Sequence, residues 1–128
     1  MKKFMQNLLD NTPGLLSIVV TDKDGVTIMK VCQRDNHELS QRSSYIALFS
    51  SASEQSSKLG LGKNRTIVCF YDKHQVISMN KGVVQLHLIG KPDGNTGDFM
   101  TLDQQLETIM PGLTELVNYV SLQTQGEA

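Results

Sequence analysis

The stretch from Ser57 to Asn80, SKLGLGKNRTIVCFYDKHQVISMN, holds a helix end, a glycine stop and then two strands rich in hydrophobic residues. The first of these strands, Arg65 to Tyr71, has no polar face. Ile67, Cys69 and Tyr71 alternate with Thr66, Val68 and Phe70, and all six are apolar or strand-favouring types. Such a strand needs cover on both sides. At a sheet edge its unpaired N–H and C=O groups must be shielded or given to a partner chain.

Upstream of this stretch the spacing of Tyr45, Phe49, Ala52, Ser56 and Leu59 predicts one face of a helix from about Leu39 to Leu59, with Gly60 closing it in the left-handed conformation. Ser43, Ser44, Ser50, Ser51, Ser53, Ser56 and Ser57 are many serines for a helix that they weaken. Small side chains let helices approach closely, so a helix–helix contact along Ser50, Ser53 and Ser57 is one explanation, and a solvated face is the other. Further back, Leu15 to Val20 (LLSIVV) is a continuous apolar run suited to a central strand. An Asp-Gly turn within Thr21–Gly25 returns it as the strand Val26 to Cys32, and Gln33 to Glu38 read as a loop. Phe4, Met5, Leu8 and Leu9 form the stripe of a short amphipathic N-terminal helix that Pro13 and Gly14 stop.

Downstream, turns at Asp72–His74 and Lys81–Gly82 predict a three-strand meander continuing through Gln75–Asn80 and Val83–Ile89. Lys91 to Gly97 reads as a loop. Thr101-Leu-Asp-Gln104 matches a capping box, and Leu102, Leu106, Ile109, Leu113, Leu116, Val117 and Val120 keep helical register, which predicts one long helix kinked near Pro111. The order is helix, two strands, helix, three strands, helix. A single domain over 1–122 with a short polar tail at 123–128 is the expected organisation.

At 128 residues and 39% hydrophobic content, the chain is long enough for one domain with its own core. A net charge of −1 and a pI near 6.3 provide no basic field for nucleic acid or an anionic membrane. No apolar run approaches the roughly 20 residues of a membrane span, and polar Gln6, Asn7 and Asp10 interrupt the opening segment where a secretory core would lie. Cys32 and Cys69, each inside an expected strand, read as reduced cysteines of a cytosolic protein.

Fragments that resemble active-site motifs lack their context. Gly60-Leu-Gly62-Lys63 echoes a phosphate-binding loop, yet it follows a helix and precedes a strand, the reverse of the required order. Asp22-Lys-Asp24-Gly25 resembles a clipped calcium loop, but Gln33 stands where the bidentate Glu is needed. Asn64-Arg-Thr66 fits the glycosylation pattern without a secretory signal to expose it. His37, His74 and His87 show no metal-ligand spacing, and His87, between Leu86 and Leu88, reads as a hydrogen-bonded structural histidine. A Cys69 nucleophile with His74 or His87 as base is poor chemistry, because an apolar strand suppresses the thiolate. Catalytic residues, cofactors and metals are therefore not expected.

The run Ser57 to Asn80, the early VVTDKDGV from Val19 to Val26 and the later Asn95-Thr-Gly97 resemble the roadblock-fold scaffold subunits of the Ragulator complex, the MEK-partner family of the MAP kinase pathway. The likeness spans essentially the whole chain. It departs at Gly82 and Val83, which replace a bulkier connection, and in Gln123 to Ala128, which extend past the usual end.

The resemblance implies an α+β roadblock/profilin-like fold: a five-stranded antiparallel sheet with the middle helix on one face and the terminal helices on the other. It also implies a non-catalytic scaffold that adds its third strand to that of a paralogous roadblock protein while the middle helices lie side by side. Arg65, Thr66, Ile67, Val68, Cys69, Phe70, Tyr71, Ser50, Ser53 and Ser57 would form that interface. Further implied partners are other Ragulator subunits, Rag GTPases serving amino-acid signalling through TORC1, and the kinases MEK and ERK. The expected location is the cytosolic face of late endosomes and lysosomes, reached through a lipidated partner subunit. A homodimeric roadblock regulator of a small GTPase or a dynein is the alternative.

Overall fold

The computed structural model describes residues 2–33, 44–62 and 65–126, with side-chain surroundings given outside 44–50 and 120–126. His37, Lys63, Asn64 and the expected helix start at Leu39 lie outside the described residues. The elements are α1 (Lys2–Asn11), β1 (Leu15–Asp22), β2 (Thr27–Cys32), α2 (Ser44–Ser57), β3 (Thr66–Phe70), β4 (Gln75–Asn80), β5 (Val84–Gly90), α3 (Thr96–Leu106), a 3₁₀ turn (Glu107–Ile109) and α4 (Met110–Gly126). The strands make one antiparallel sheet in the order β2-β1-β5-β4-β3. As the apolar run predicts, β1 is internal and buried from Leu15 to Thr21.

Alternation along the strands sends two sets of side chains to opposite faces. Ile18, Val20, Ile77, Met79, Leu86 and Leu88 join Met5 and Leu9 of α1, Phe99, Leu102 and Leu106 of α3 and Leu113 of α4 in the main core. The terminal helices therefore share one face. The opposite face carries Leu16, Val76 and Ile89 with buried Ser17, Thr21, Ser78, Gln85 and His87, leaving α2 as the described helix available to cover it.

Turn chemistry closes the hairpins. Asp22 Oδ1 accepts from the N–H groups of Asp24 and Val26, both at 2.9 Å, so the carboxylate of the calcium-like fragment is spent on the turn. Gly60, at φ +74°, takes the left-handed conformation expected after α2. Gly90 has a different role. A Cβ there would strike the ring of the fully buried Phe99, so its missing side chain is what lets α3 lie close to β5.

Three sequence expectations shift. The third helix starts at Thr96, five residues before Thr101, because Asn95 is its cap: Asn95 Oδ1 accepts from Asp98 N–H at 3.1 Å. Thr101 sits inside the helix and donates its hydroxyl to Asp98 O. The long helix is interrupted by the 3₁₀ turn Glu107–Ile109 rather than kinked at Pro111. Pro111 lacks the N–H that would bond Glu107 C=O, and Met110 N–H bonds it instead at the tighter spacing. Finally, Leu59 does not belong to the helix face, because α2 ends at Ser57 and Leu59 stands 69% exposed. Beyond α4's apolar stripe, the helix continues through the polar residues after 122 to Gly126.

Candidate functional site

Of the expected interface residues, Thr66 to Phe70 form β3, Arg65 and Tyr71 flank it, and Ser50, Ser53 and Ser57 lie on α2. Among the described residues β3 pairs with β4 alone, so its other side is a sheet edge there. Its register with β4 is uninterrupted: Thr66 faces Met79, Ile67 faces Ser78, Val68 faces Ile77, Cys69 faces Val76 and Phe70 faces Gln75. Thr66, Val68 and Phe70 thus share the terminal-helix face, and Ile67 and Cys69 lie on the opposite one. Phe70 is 69% exposed, Thr66 to Cys69 are half-buried, and Val68 packs partly against the main core.

The hydrogen-bond phase of this strand follows from its two ends. Asn80 N–H donates to Arg65 O at 2.7 Å, and Tyr71 N–H donates to His74 O at 2.8 Å. Facing residues of an antiparallel pair alternate between bonded and non-bonded, so Arg65, Ile67, Cys69 and Tyr71 direct their backbone groups at β4. Thr66, Val68 and Phe70 direct theirs away from the sheet. These three residues carry the unpaired donors and acceptors of the margin. Side-chain periodicity cannot report this phase, because a strand's two faces are the same whichever neighbour its amides bond.

The serines of α2 are partly accounted for within the helix. Ser56 Oγ donates to Ser53 O at 3.0 Å and Ser57 Oγ donates to Glu54 O at 2.7 Å. Hydroxyls turned back onto their own helix leave a thin surface of low polarity, which suits close approach by another helix. Ser53 is half-buried and Ser57 exposed, while the Ser50 side chain lies outside the described residues.

A catalytic pairing of Cys69 with His87 is not assembled. Cys69 faces Val76, which faces Ile89, so β4 separates the two residues and they are also offset by two positions along the sheet. Both ring nitrogens of His87 are engaged: Nε2 lies 3.1 Å from Thr21 Oγ1, and Nδ1 lies 2.8 Å from Ser78 Oγ. Burial lowers its pKa from 6.5 to about 4, so the ring is neutral at physiological pH. It ties β1, β5 and β4 together on the face away from the terminal helices, the structural role its flanking leucines suggest. Cys32 and Cys69 occupy opposite edge strands, too far apart for a disulfide. Among the described residues, no cluster of three metal-ligating side chains occurs, and no helix is long and apolar enough to cross a membrane.

One feature of this end of the molecule escaped the periodicity. Leu61 is 85% exposed between Gly60 and Gly62, both in the left-handed region, so it projects with Leu59 from the link between α2 and β3. Leucines flanking such glycines in a helix-to-strand link are the signal that could have marked it.

The profile of the family described as "Mitogen-activated protein kinase kinase 1 interacting" matches residues 1–117. The protein named Ragulator complex protein LAMTOR3 homolog from Drosophila melanogaster is 37% identical over 116 residues, covering 91% of this chain and 94% of that protein. Ragulator complex protein LAMTOR3-B from Xenopus laevis is 38% identical over 117 residues, covering 91% and 95%. Among solved structures, a Roadblock/LC7 domain from Streptomyces avermitilis superposes with a TM-score of 0.70 at 16% identity, covering 88% of this chain and 97% of that one, which establishes the roadblock fold.

Proposed function

Because this chain belongs to the mitogen-activated protein kinase kinase 1 interacting family, we propose that it is a non-catalytic scaffold subunit of a Ragulator-like complex, joined to a paralogous roadblock protein along β3. The observation that carries the pairing is the uninterrupted, half-exposed third strand with three residues of unpaired backbone at a sheet edge. Backbone bonds set register there, and apolar side chains supply adhesion at about 25 cal/mol per Å² over an interface of about 1,600 Å². Ser50, Ser53 and Ser57 of α2, the last with its hydroxyl turned back onto its own helix, lie against the partner's equivalent helix.

In the assembled complex the pair sits with other Ragulator subunits on the cytosolic face of late endosomes and lysosomes, held to the membrane by a lipidated partner. There it recruits Rag GTPases for amino-acid signalling to TORC1 and docks MEK and ERK. The relatives' names support membership of a Ragulator complex, and the family's description supports a contact with mitogen-activated protein kinase kinase 1.

Val68→Pro tests the pairing, because it deletes a donor aimed off the sheet and no bond to β4. Loss of co-purification with the paralogue, with cooperative unfolding of the variant retained, is expected. A normal heterodimer by light scattering overturns the proposal.

A further inference from the structure

Several of the large apolar side chains that this fold leaves exposed gather at one end of the sheet. Asp22 faces Val84, Asn80 faces Gln85 and Thr66 faces Met79, so β1 ends, β4 ends and β3 begins at the same end. The β1–β2 turn, the β4–β5 turn and the link from α2 to β3 therefore emerge side by side. Val26 stands exposed on the first, Val83 on the second, and Leu59 and Leu61 on the third.

One local device repeats in all three. Gly25, Gly82 and Gly60 hold φ of +86°, +88° and +74°, and each is followed directly by an exposed aliphatic residue, Val26, Val83 or Leu61. Hydrogen bonds fix two of the bends: Gly25 N–H donates to Asp22 O at 3.1 Å, and Gly82 N–H donates to Asn80 Oδ1 at 2.9 Å. Among the described residues, a Cβ at Gly60, Gly62 or Gly82 would meet nothing within 4 Å, so these bends stand clear of the rest of the chain. A single exposed aliphatic residue is ordinary on a protein surface; three presented together on glycine bends call for an occupant.

Spacing and charge select that occupant. Neighbouring strands lie about 4.8 Å apart, so the two hairpin tips are about 10 Å from each other, on separate turns. A protein partner needs a matching pocket for each tip, whereas the interfacial layer of a bilayer accepts separate apolar tips without a shape of its own. Lys23, Lys58 and Arg65 are exposed beside the tips, with Asp24 as the exposed carboxylate of these three connections. Asp22 is spent on its turn, and Lys81 is held by Asp103 and Glu107. The net charge of −1 for the whole chain thus averages over an end where exposed cations prevail at the tips, which suits anionic headgroups.

We propose that this end of the sheet is a membrane-contact face, with Val26, Val83 and Leu61 entering the interfacial layer of an anionic bilayer and Lys23, Lys58 and Arg65 meeting its headgroups. Neither hairpin tip borders the open margin of β3, so this contact is independent of what pairs there.

The chain contains no tryptophan, so single tryptophans can report depth. Four full-length proteins are compared, Val26→Trp, Val83→Trp, Leu61→Trp and, on the turn at the opposite end, Lys73→Trp. Each is mixed with vesicles of phosphatidylcholine and phosphatidylserine, with and without bromine on the acyl chains. The first three should shift to the blue and be quenched at least about 2-fold by the brominated lipid, with Lys73→Trp unchanged. No vesicle binding, quenching of Leu61→Trp alone, or equal quenching of Lys73→Trp overturns the proposal.

Co-sedimentation supplies the companion measurement without tryptophan. The combined Val26→Ser, Val83→Ser and Leu61→Ser protein, and separately Lys23→Glu with Lys58→Glu, should each bind these vesicles about 10-fold or more weakly than the unsubstituted chain, with unchanged urea midpoints. Undiminished binding of either overturns it. Blue emission from the three tip probes in the complex with the paralogue, before any vesicle is added, would assign the tips to another protein and also overturn it. The paralogue pairing stands or falls separately, on the co-purification of Val68→Pro.

Discussion

The two margins of this sheet are built from strands of similar length and opposite character. β2 carries Lys30, exposed in mid-strand, and its pairing with β1 slips between Val20 and Thr21. A lysine and a bulge are standard means of discouraging a further strand. β3 carries neither. Its register is unbroken over all five residues, it contains no lysine or proline, and Phe70 is left in water at one end. Among the described residues β2 and β3 each have a neighbouring strand on one side only, so the presence of an edge does not define an interface. What marks β3 out is that nothing in its sequence or geometry turns a partner away.

The sharpest way to break this comparison is to delete the same kind of group on each side. Gln33 N–H bonds Leu16 O at 2.9 Å, which puts Lys30 in the outward phase on β2 just as Phe70 is on β3. Phe70→Pro should weaken association with the roadblock partner by about 100-fold or more, because it deletes a donor and strands its acceptor. Lys30→Pro, chemically equivalent, should leave that affinity within about 2-fold. Titration calorimetry or light scattering with the partner reads both, and equal losses would erase the distinction between the edges.

Acid should act on the centre of the sheet without favouring either margin. His87 has a folded pKa of about 4, below its unfolded value of 6.5, so the unfolded chain takes the proton first. Stability is therefore full above about pH 6.5 and declines as pH falls toward about 4, by up to about 3 kcal/mol. Urea midpoints between pH 7 and 4 check this, and His87→Gln should flatten the decline. Lys30→Ile makes β2 resemble β3, and modest concentration-dependent species larger than a dimer should then appear by size-exclusion chromatography. The smallest effect belongs to α2: Ser53→Leu should reduce partner affinity about 10-fold by holding the paired helices apart, with little change in thermal midpoint.

Much of this architecture was legible because local chemistry and tertiary demand coincide. The apolar run Leu15–Val20 became an internal strand, the Asp22–Gly25 turn closed its hairpin, and Gly60 took the left-handed form. Where two local signals competed, the weaker-looking one won. Asn95 capped α3 although it stands in a stretch rich in Pro, Asp and Gly, because burial of Phe99 against Gly90 rewards helix from Thr96 onward. Pro111 acted on the carbonyl four residues before it, so the break lies at Glu107–Ile109. For the candidate site, composition marked Arg65–Tyr71 as a strand wanting cover on both faces. Which neighbour its amides bond depends on strand order and register, quantities that arise only when β4 is in place.

The slip between Val20 and Thr21 also bears on how large an assembly can become. A sheet with two welcoming margins would let each newcomer offer the next a place to join, and growth would have no natural end. Here, once the third strand is occupied, the margin that this chain still presents is β2, bent and guarded by a cation. Stoichiometry is thereby written into the far side of the sheet, at a place no partner need touch.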